Sequence, residues 1–120
     1  MKPADICSAV ADWPEVTEDE PFGPGVAVYK VAGKVFAILQ GENHPPQVTL
    51  KCEPALAMEL RAQFPAVQPG YHMNKTHWNT VVLDGSIPEP ELRDMLEHSY
   101  ARVVAGLPKA VRAGIALQKD

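Results

Sequence analysis

Val26-Ala27-Val28-Tyr29-Lys30-Val31-Ala32-Gly33-Lys34-Val35-Phe36-Ala37-Ile38-Leu39 reads as two strands joined by a tight turn. Both halves are rich in β-branched and aromatic residues, and Ala32-Gly33 is short enough to reverse the chain directly. Strict alternation is missing because both faces are largely apolar. Central strands covered by a helix on one side have that composition. A hairpin in the middle of a sheet is the expectation from which the rest of the chain is read.

Working outward, Pro21-Phe22-Gly23-Pro24-Gly25 is a turn whose glycines permit backbone angles other residues avoid. Before it, Val16 to Glu20 reads as an edge strand with its acids facing water. Pro3 to Ala11 reads as a short helix, with proline in its first turn and Ile6, Cys7 and Val10 on one side. Trp13-Pro14 ends it, since a residue before proline is pushed out of helical geometry. On the other side of the hairpin, Gly41 to Pro46 is a loop. Gln47 to Cys52 then alternates cleanly, with Val48, Leu50 and Cys52 on one face and Thr49 and Lys51 on the other.

Glu53-Pro54 opens a second helix, in which Leu56, Ala57, Leu60 and Phe64 form the buried stripe and Arg61 faces solvent. Two more strands are expected at Val67 to Met73 and Trp78 to Leu83. Ser86-Ile87-Pro88-Glu89 fits a capping box ahead of a long helix whose apolar positions run from Leu92 to Leu107. Ser99 lies on that inward stripe, where a hydroxyl most often bonds back to a helix carbonyl. Gly106 followed by Pro108 ends the helix, and Lys109 to Leu117 adds a short one. The order is helix, three or four strands, helix, two strands, helix. That makes residues 1–120 a single two-layer α+β domain, with helices packed on one face of an antiparallel sheet.

A chain of 120 residues with 46% hydrophobic and 22% charged residues buries a core of its own without metal or disulfide staples. Cys7 and Cys52 are too few for a disulfide framework and are expected as small buried groups. No apolar run reaches the length of a membrane helix, and Asp5 and Asp12 interrupt the region where a signal peptide needs an unbroken apolar stretch. The expected location is the cytoplasm.

The net charge of −4 conceals an uneven distribution. Residues 1–25 carry six acids against one base, whereas residues 26–82 carry five bases against three acids, together with His44, His72 and His77. The overall acidity argues against indiscriminate binding to polyanions; a local basic patch can still attract phosphate.

Pro21-Phe22-Gly23, Val28 to Ala37, Leu50-Lys51-Cys52-Glu53-Pro54, Pro69-Gly70-Tyr71-His72-Met73-Asn74-Lys75, His77-Trp78 and His98-Ser99-Tyr100 together resemble the MmcQ/YjbR-like proteins of bacteria. The resemblance spans nearly the whole chain. It implies a fold grouped with the type III secretion chaperones, and DNA binding through a double wing of hairpins; it brings no catalytic residues.

Three kinds of chemistry compete for the candidate residues. For nucleic acid, Lys30, Lys34, Lys51 and Lys75 are the phosphate contacts, with His72, His77 and Trp78 setting the Asn74 turn. Tyr29, Phe36, Tyr71 and Trp78 are aromatics able to stack on a base, although strand aromatics usually pack in cores. For metal, the five-residue spacing of His72 and His77 does not put both on one strand face, and no metal or other cofactor is expected. For catalysis, there is no nucleophile elbow, phosphate loop or metalloprotease pattern around Ser99, Thr80, Cys52 or Tyr100. The expectation is a non-catalytic binding protein with DNA as its first partner and no membrane. The alternative is a chaperone-like peptide- or protein-binding module that uses Tyr29, Phe36 and Trp78 on the open sheet face.

Overall fold

A computed structural model describes residues 1–118. The elements are α1 (Pro3–Val10), β1 (Val16–Asp19), β2 (Val26–Val31), β3 (Lys34–Gln40), β4 (Gln47–Lys51), α2 (Pro54–Gln63), β5 (Val67–Pro69), β6 (Trp78–Val82), α3 (Glu89–Ala105) and α4 (Lys109–Gln118). The strands form one antiparallel sheet in the order β1-β2-β3-β4-β6-β5. The α+β class, the hairpin and the edge position of β1 are as the sequence predicts.

Residues paired across neighbouring strands point to the same side of a sheet. One side therefore carries Glu18, Tyr29, Ala37, Leu50 and Asn79, and the other carries Thr17, Lys30, Val35, Thr49, Lys51, Trp78 and Thr80. The first side is the one the helices cover. There, Tyr29 meets Cys7 of α1, Asn79 bonds Ala57 of α2, and Phe36 bonds Ser99 of α3. Burial of Ile6, Val10, Tyr29, Phe36, Leu50, Val81, Leu96 and Tyr100 in this layer makes the core.

The hairpin carries a bulge. Its register steps from Tyr29↔Ala37 to Lys30↔Val35, leaving Phe36 as the extra residue. Phe36 thereby joins Ala37 on the helix side, where its ring lies 5.5 Å from Tyr100 and 6.1 Å from Trp13. Tyr29 and Phe36 are 1% and 0% exposed. The aromatic groove expected on the open face is thus reduced to Trp78, because the bulge and the helices claim the other two rings.

Two boundaries and two side-chain placements differ from the sequence reading. The strand expected over Val67 to Met73 stops at Pro69. Gly70 there donates to the Trp78 carbonyl at 2.9 Å and lies so close that a Cβ would sit 2.7 Å from the Trp78 Cβ. The capping box at Ser86 does not form: α3 begins at Glu89 behind Pro88, and the Ser86 hydroxyl donates instead to Asp84 Oδ1 at 2.5 Å. Ser99 bonds strand backbone and not its own helix. In α2 only Ala57 is fully buried, while Leu56, Leu60 and Phe64 are half-exposed, because α2 packs toward β5 and stands apart from α3.

Candidate nucleic-acid interface

The sheet has two chemically distinct ends. At one end lie the Ala32–Gly33 turn, the last residue of β4, the first residue of β6 and the connection from Gly70 to His77. Lys30, Lys34, Lys51 and Lys75 all belong to this end. At the opposite end lie the β1–β2 turn, the β3–β4 loop and the exit from β6, which carry Asp19, Glu20, Glu42 and Asp84. The antiparallel register thus brings four lysines that are scattered along the sequence to one end of the sheet. Glu15, whose carbonyl accepts from the Ala32 amide, and Glu53, after the β4 exit, are the neighbouring acids there.

Within that end the positions differ. Lys30 lies on the open face across from Thr17 and Val35, and Lys51 lies on the same face across from Trp78. Lys34 is exposed at the hairpin tip. Lys34 and Lys51 share a groove of about 290 Å³ with Val103 and Leu107 near the end of α3. Lys30, Lys34 and Lys51 have no hydrogen-bond or ion-pair partner for their ammonium groups among the described residues.

The Gly70–His77 connection is held by its own polar atoms. Lys75 Nζ donates to the Gly70 carbonyl at 3.1 Å, leaving two further N–H groups. Asn74 Oδ1 accepts from the Thr76 amide at 2.9 Å, an Asx turn that makes Asn74 a structural residue of the loop. The His77 carbonyl accepts from the Cys52 amide at 2.8 Å, so His77 ties the loop to the end of β4. His72 is exposed at φ 58° with its ring 4.0 Å from that of Tyr71. Tyr71 is itself 57% exposed, and its amide donates to Thr80 Oγ1 at 2.9 Å. Trp78 is half-buried on the open face.

Sequence reading missed Arg61. Assigned to solvent by its helical position, it reaches across from α2. Its Nε donates to Asn79 Oδ1 at 2.7 Å and its Nη2 donates to the carbonyls of Lys75 and Trp78. One guanidinium therefore fixes the start of β6 and the turn that carries Lys75, as the rigid fork of arginine allows.

Sequence reading also missed a cleft on the helix side. About 370 Å³ opens between α2 and α3, with Leu50 and Val81 as its floor, Leu56, Leu60 and Met95 on its walls and Glu91 and Asp94 at its rim. His98 lines it as well, and its Nε2 accepts from the Glu53 amide at 3.0 Å. Burial, and then the nearby Arg102 charge, hold the His98 imidazole below its ordinary pKa, so the neutral ring that can accept this bond is favoured. The signal in the sequence was the short apolar stripe of α2, which reads equally well as core.

Ser99, Thr80, Tyr100 and Cys52, the hydroxyl and thiol groups considered for catalysis, are committed to structure. Ser99 Oγ donates to the Phe36 carbonyl at 2.6 Å and accepts from the Lys51 amide at 2.8 Å. Thr80 Oγ1 lies 2.9 Å from Thr49 Oγ1 as well as accepting from Tyr71. The Tyr100 hydroxyl donates to the Pro14 carbonyl at 2.6 Å. Burial, followed by the Glu53 carboxylate, pushes the Cys52 thiol up to about 11. No helix among the described residues is long and apolar enough to cross a membrane.

Residues 11–102 match the family model described as YjbR. The chain is 39% identical over 89 residues to the Escherichia coli O157:H7 protein named "Uncharacterized protein YbdF", covering 74% of this chain and 73% of that one. It is 41% identical over 83 residues to "Uncharacterized protein YjbR" of Escherichia coli strain K12, covering 69% and 70%. Among solved structures, the Deinococcus radiodurans protein DR2400, described with the domain DUF419, superposes with a TM-score of 0.89 at 34% identity, covering 96% of this chain and 88% of that one. A Pseudomonas syringae protein superposes with a TM-score of 0.72 at 29% identity, covering 82% and 96%.

Proposed function

We infer that this chain, which belongs to the YjbR family, is a non-catalytic binding protein whose ligand is the phosphate backbone of DNA. The observation that carries this reading is the gathering of Lys30, Lys34, Lys51 and Lys75 at one end of the sheet, where they outnumber Glu15 and Glu53, while Asp19, Glu20, Glu42 and Asp84 lie at the other. Two projections flank Lys51 there, the Ala32–Gly33 hairpin tip and the Gly70–His77 connection. Such a pair of projections suits the two walls of a groove, and lysines on them suit phosphate oxygens as point charges. The acidic far end disfavours lengthwise burial in a polyanion and so gives the contact a single orientation. The non-catalytic part of the reading is supported by Ser99, Thr80 and Tyr100, whose hydroxyls bond backbone groups, and by Cys52, whose thiol is held protonated.

Fluorescence anisotropy with a labelled duplex at several salt concentrations tests this. Four phosphate contacts give a slope of log K against log salt of roughly −3 to −4. The combined variant Lys30→Gln, Lys34→Gln, Lys51→Gln and Lys75→Gln abolishes retention on DNA while circular dichroism stays native. Absence of binding at low ionic strength, or a quadruple variant that binds unchanged, would falsify the assignment.

A further inference from the structure

The cleft between α2 and α3 lies on the opposite side of the sheet from Lys30 and Trp78, and its lining holds Glu91 and Asp94 as well as Lys51. We propose that it binds a small hydrophobic cation, a primary aryl- or alkylamine, with the apolar group against Leu56, Leu60 and Met95 and the ammonium held by Glu91 and Asp94.

Size is the first argument. Small-molecule sites run from about 300 to 1,000 Å³ and are apolar with a few converging polar groups. At about 370 Å³ this one is near the lower bound, so it suits one ring or a short chain. Its walls also explain the odd exposure of α2, whose apolar stripe ends half-buried at Leu56 and Leu60, facing the cleft. An apolar group entering there removes surface from water that folding left exposed.

Charge is the second argument. Glu91 and Asp94 have no hydrogen-bond or ion-pair partner among the described residues, whereas Glu89 at the start of α3 is paired with Arg93. The cation nearest on α2, Arg61, is turned to Asn79 and the carbonyls of Lys75 and Trp78. Gln63 on the facing wall is neutral, and Lys51 lies at the sheet end of the cleft beside Cys52. The two carboxylates are therefore left without a direct partner. The cations of the neighbourhood are Lys51 in the lining and Arg102, whose charge acts on Cys52 and His98, and an amine supplies a contact that neither makes. His98 lines the cleft with its Nε2 already accepting from the Glu53 amide, so it offers no competing acceptor through that nitrogen.

Titration of the full chain with phenethylamine, followed by calorimetry and by backbone amide shifts, tests the proposal. The neutral isostere 2-phenylethanol and a short peptide containing Phe-Lys are run beside it. Phenethylamine is expected to saturate with shifts at Leu60, Asn79 and Met95, and the alcohol to bind roughly fivefold more weakly, the range of a modest exposed ion pair. The Glu91→Gln/Asp94→Asn variant, changed only at exposed positions, should erase that difference and leave the fold intact. Equal affinity for amine and alcohol would overturn the proposal. So would an absence of saturation by the amine, shifts away from the cleft, or saturation by the peptide alone.

Discussion

Ser99 of α3 donates its hydroxyl proton to the Phe36 carbonyl at 2.6 Å while the same oxygen accepts from the Lys51 amide at 2.8 Å. The β3–β4 register runs only from Gln40↔Gln47 to Ala37↔Leu50. At the Phe36 bulge the two strands no longer pair, and one carbonyl and one amide lose their ladder partners. Ser99, 0% exposed, stands between them and satisfies both.

Ser99→Ala should therefore cost about 2–4 kcal/mol, since two backbone groups go unpaired at once. Urea denaturation measures this through a lower midpoint at unchanged slope. A loss comparable to that of an exposed serine such as Ser86→Ala would mean that water replaces the hydroxyl.

Gly70 and Gly33 make opposite predictions from the same substitution. At Gly70 a Cβ would lie 2.7 Å from the Trp78 Cβ and 2.9 Å from its carbonyl oxygen, so Gly70→Ala must force β5 away from β6. Overpacking of this kind costs about 1–3 kcal/mol. At Gly33 nothing lies within 4 Å and the cost is only that of φ 84°, about 1–2 kcal/mol. Amide exchange separates them: Gly70→Ala should expose β5 and the start of β6, whereas Gly33→Ala should leave those amides protected.

How far the sequence could be read follows from these cases. The hairpin, the edge strand and the long helix were legible because period and turn chemistry are local. The bulge was not, because inserting Phe36 between Val35 and Ala37 leaves the composition of the strand unchanged and shows only in the partner register. The lysines at 30, 34, 51 and 75 were individually visible, but their arrival at one end depends on strand order. Arg61 and the α2–α3 cleft were illegible for a related reason. A helical period gives the angle of a side chain about its axis, not the distance to the next helix.

Burial of the His98 imidazole, with the Arg102 charge near it, gives the fold a pH dependence that the Glu53 carboxylate partly opposes. The folded pKa of His98 lies below its unfolded value, so the unfolded chain takes up the proton first as pH falls. Stability from this site is complete above the unfolded value of about 6.5 and is lost progressively as pH drops toward the depressed folded value. Melting temperatures of wild type and His98→Gln, which keeps an acceptor but does not titrate there, should converge as pH is lowered from neutrality. Parallel curves would show that the Glu53 amide does not depend on the neutral ring.

If the basic end of the sheet meets phosphate, its lysines need not contribute alike. Lys30, Lys34 and Lys51 have free ammonium groups, so each single glutamine substitution should reduce the salt slope of DNA binding by roughly one. Lys75 already donates to the Gly70 carbonyl. Its removal subtracts a charge and also loosens the turn beside Tyr71 and His72. Lys75→Gln should then weaken binding beyond its share of the slope and increase amide exchange from Tyr71 to Thr76, where Lys34→Gln leaves exchange unchanged. Equal slopes and equal exchange for the two variants would reduce Lys75 to a charge like the others and remove the loop from the interface.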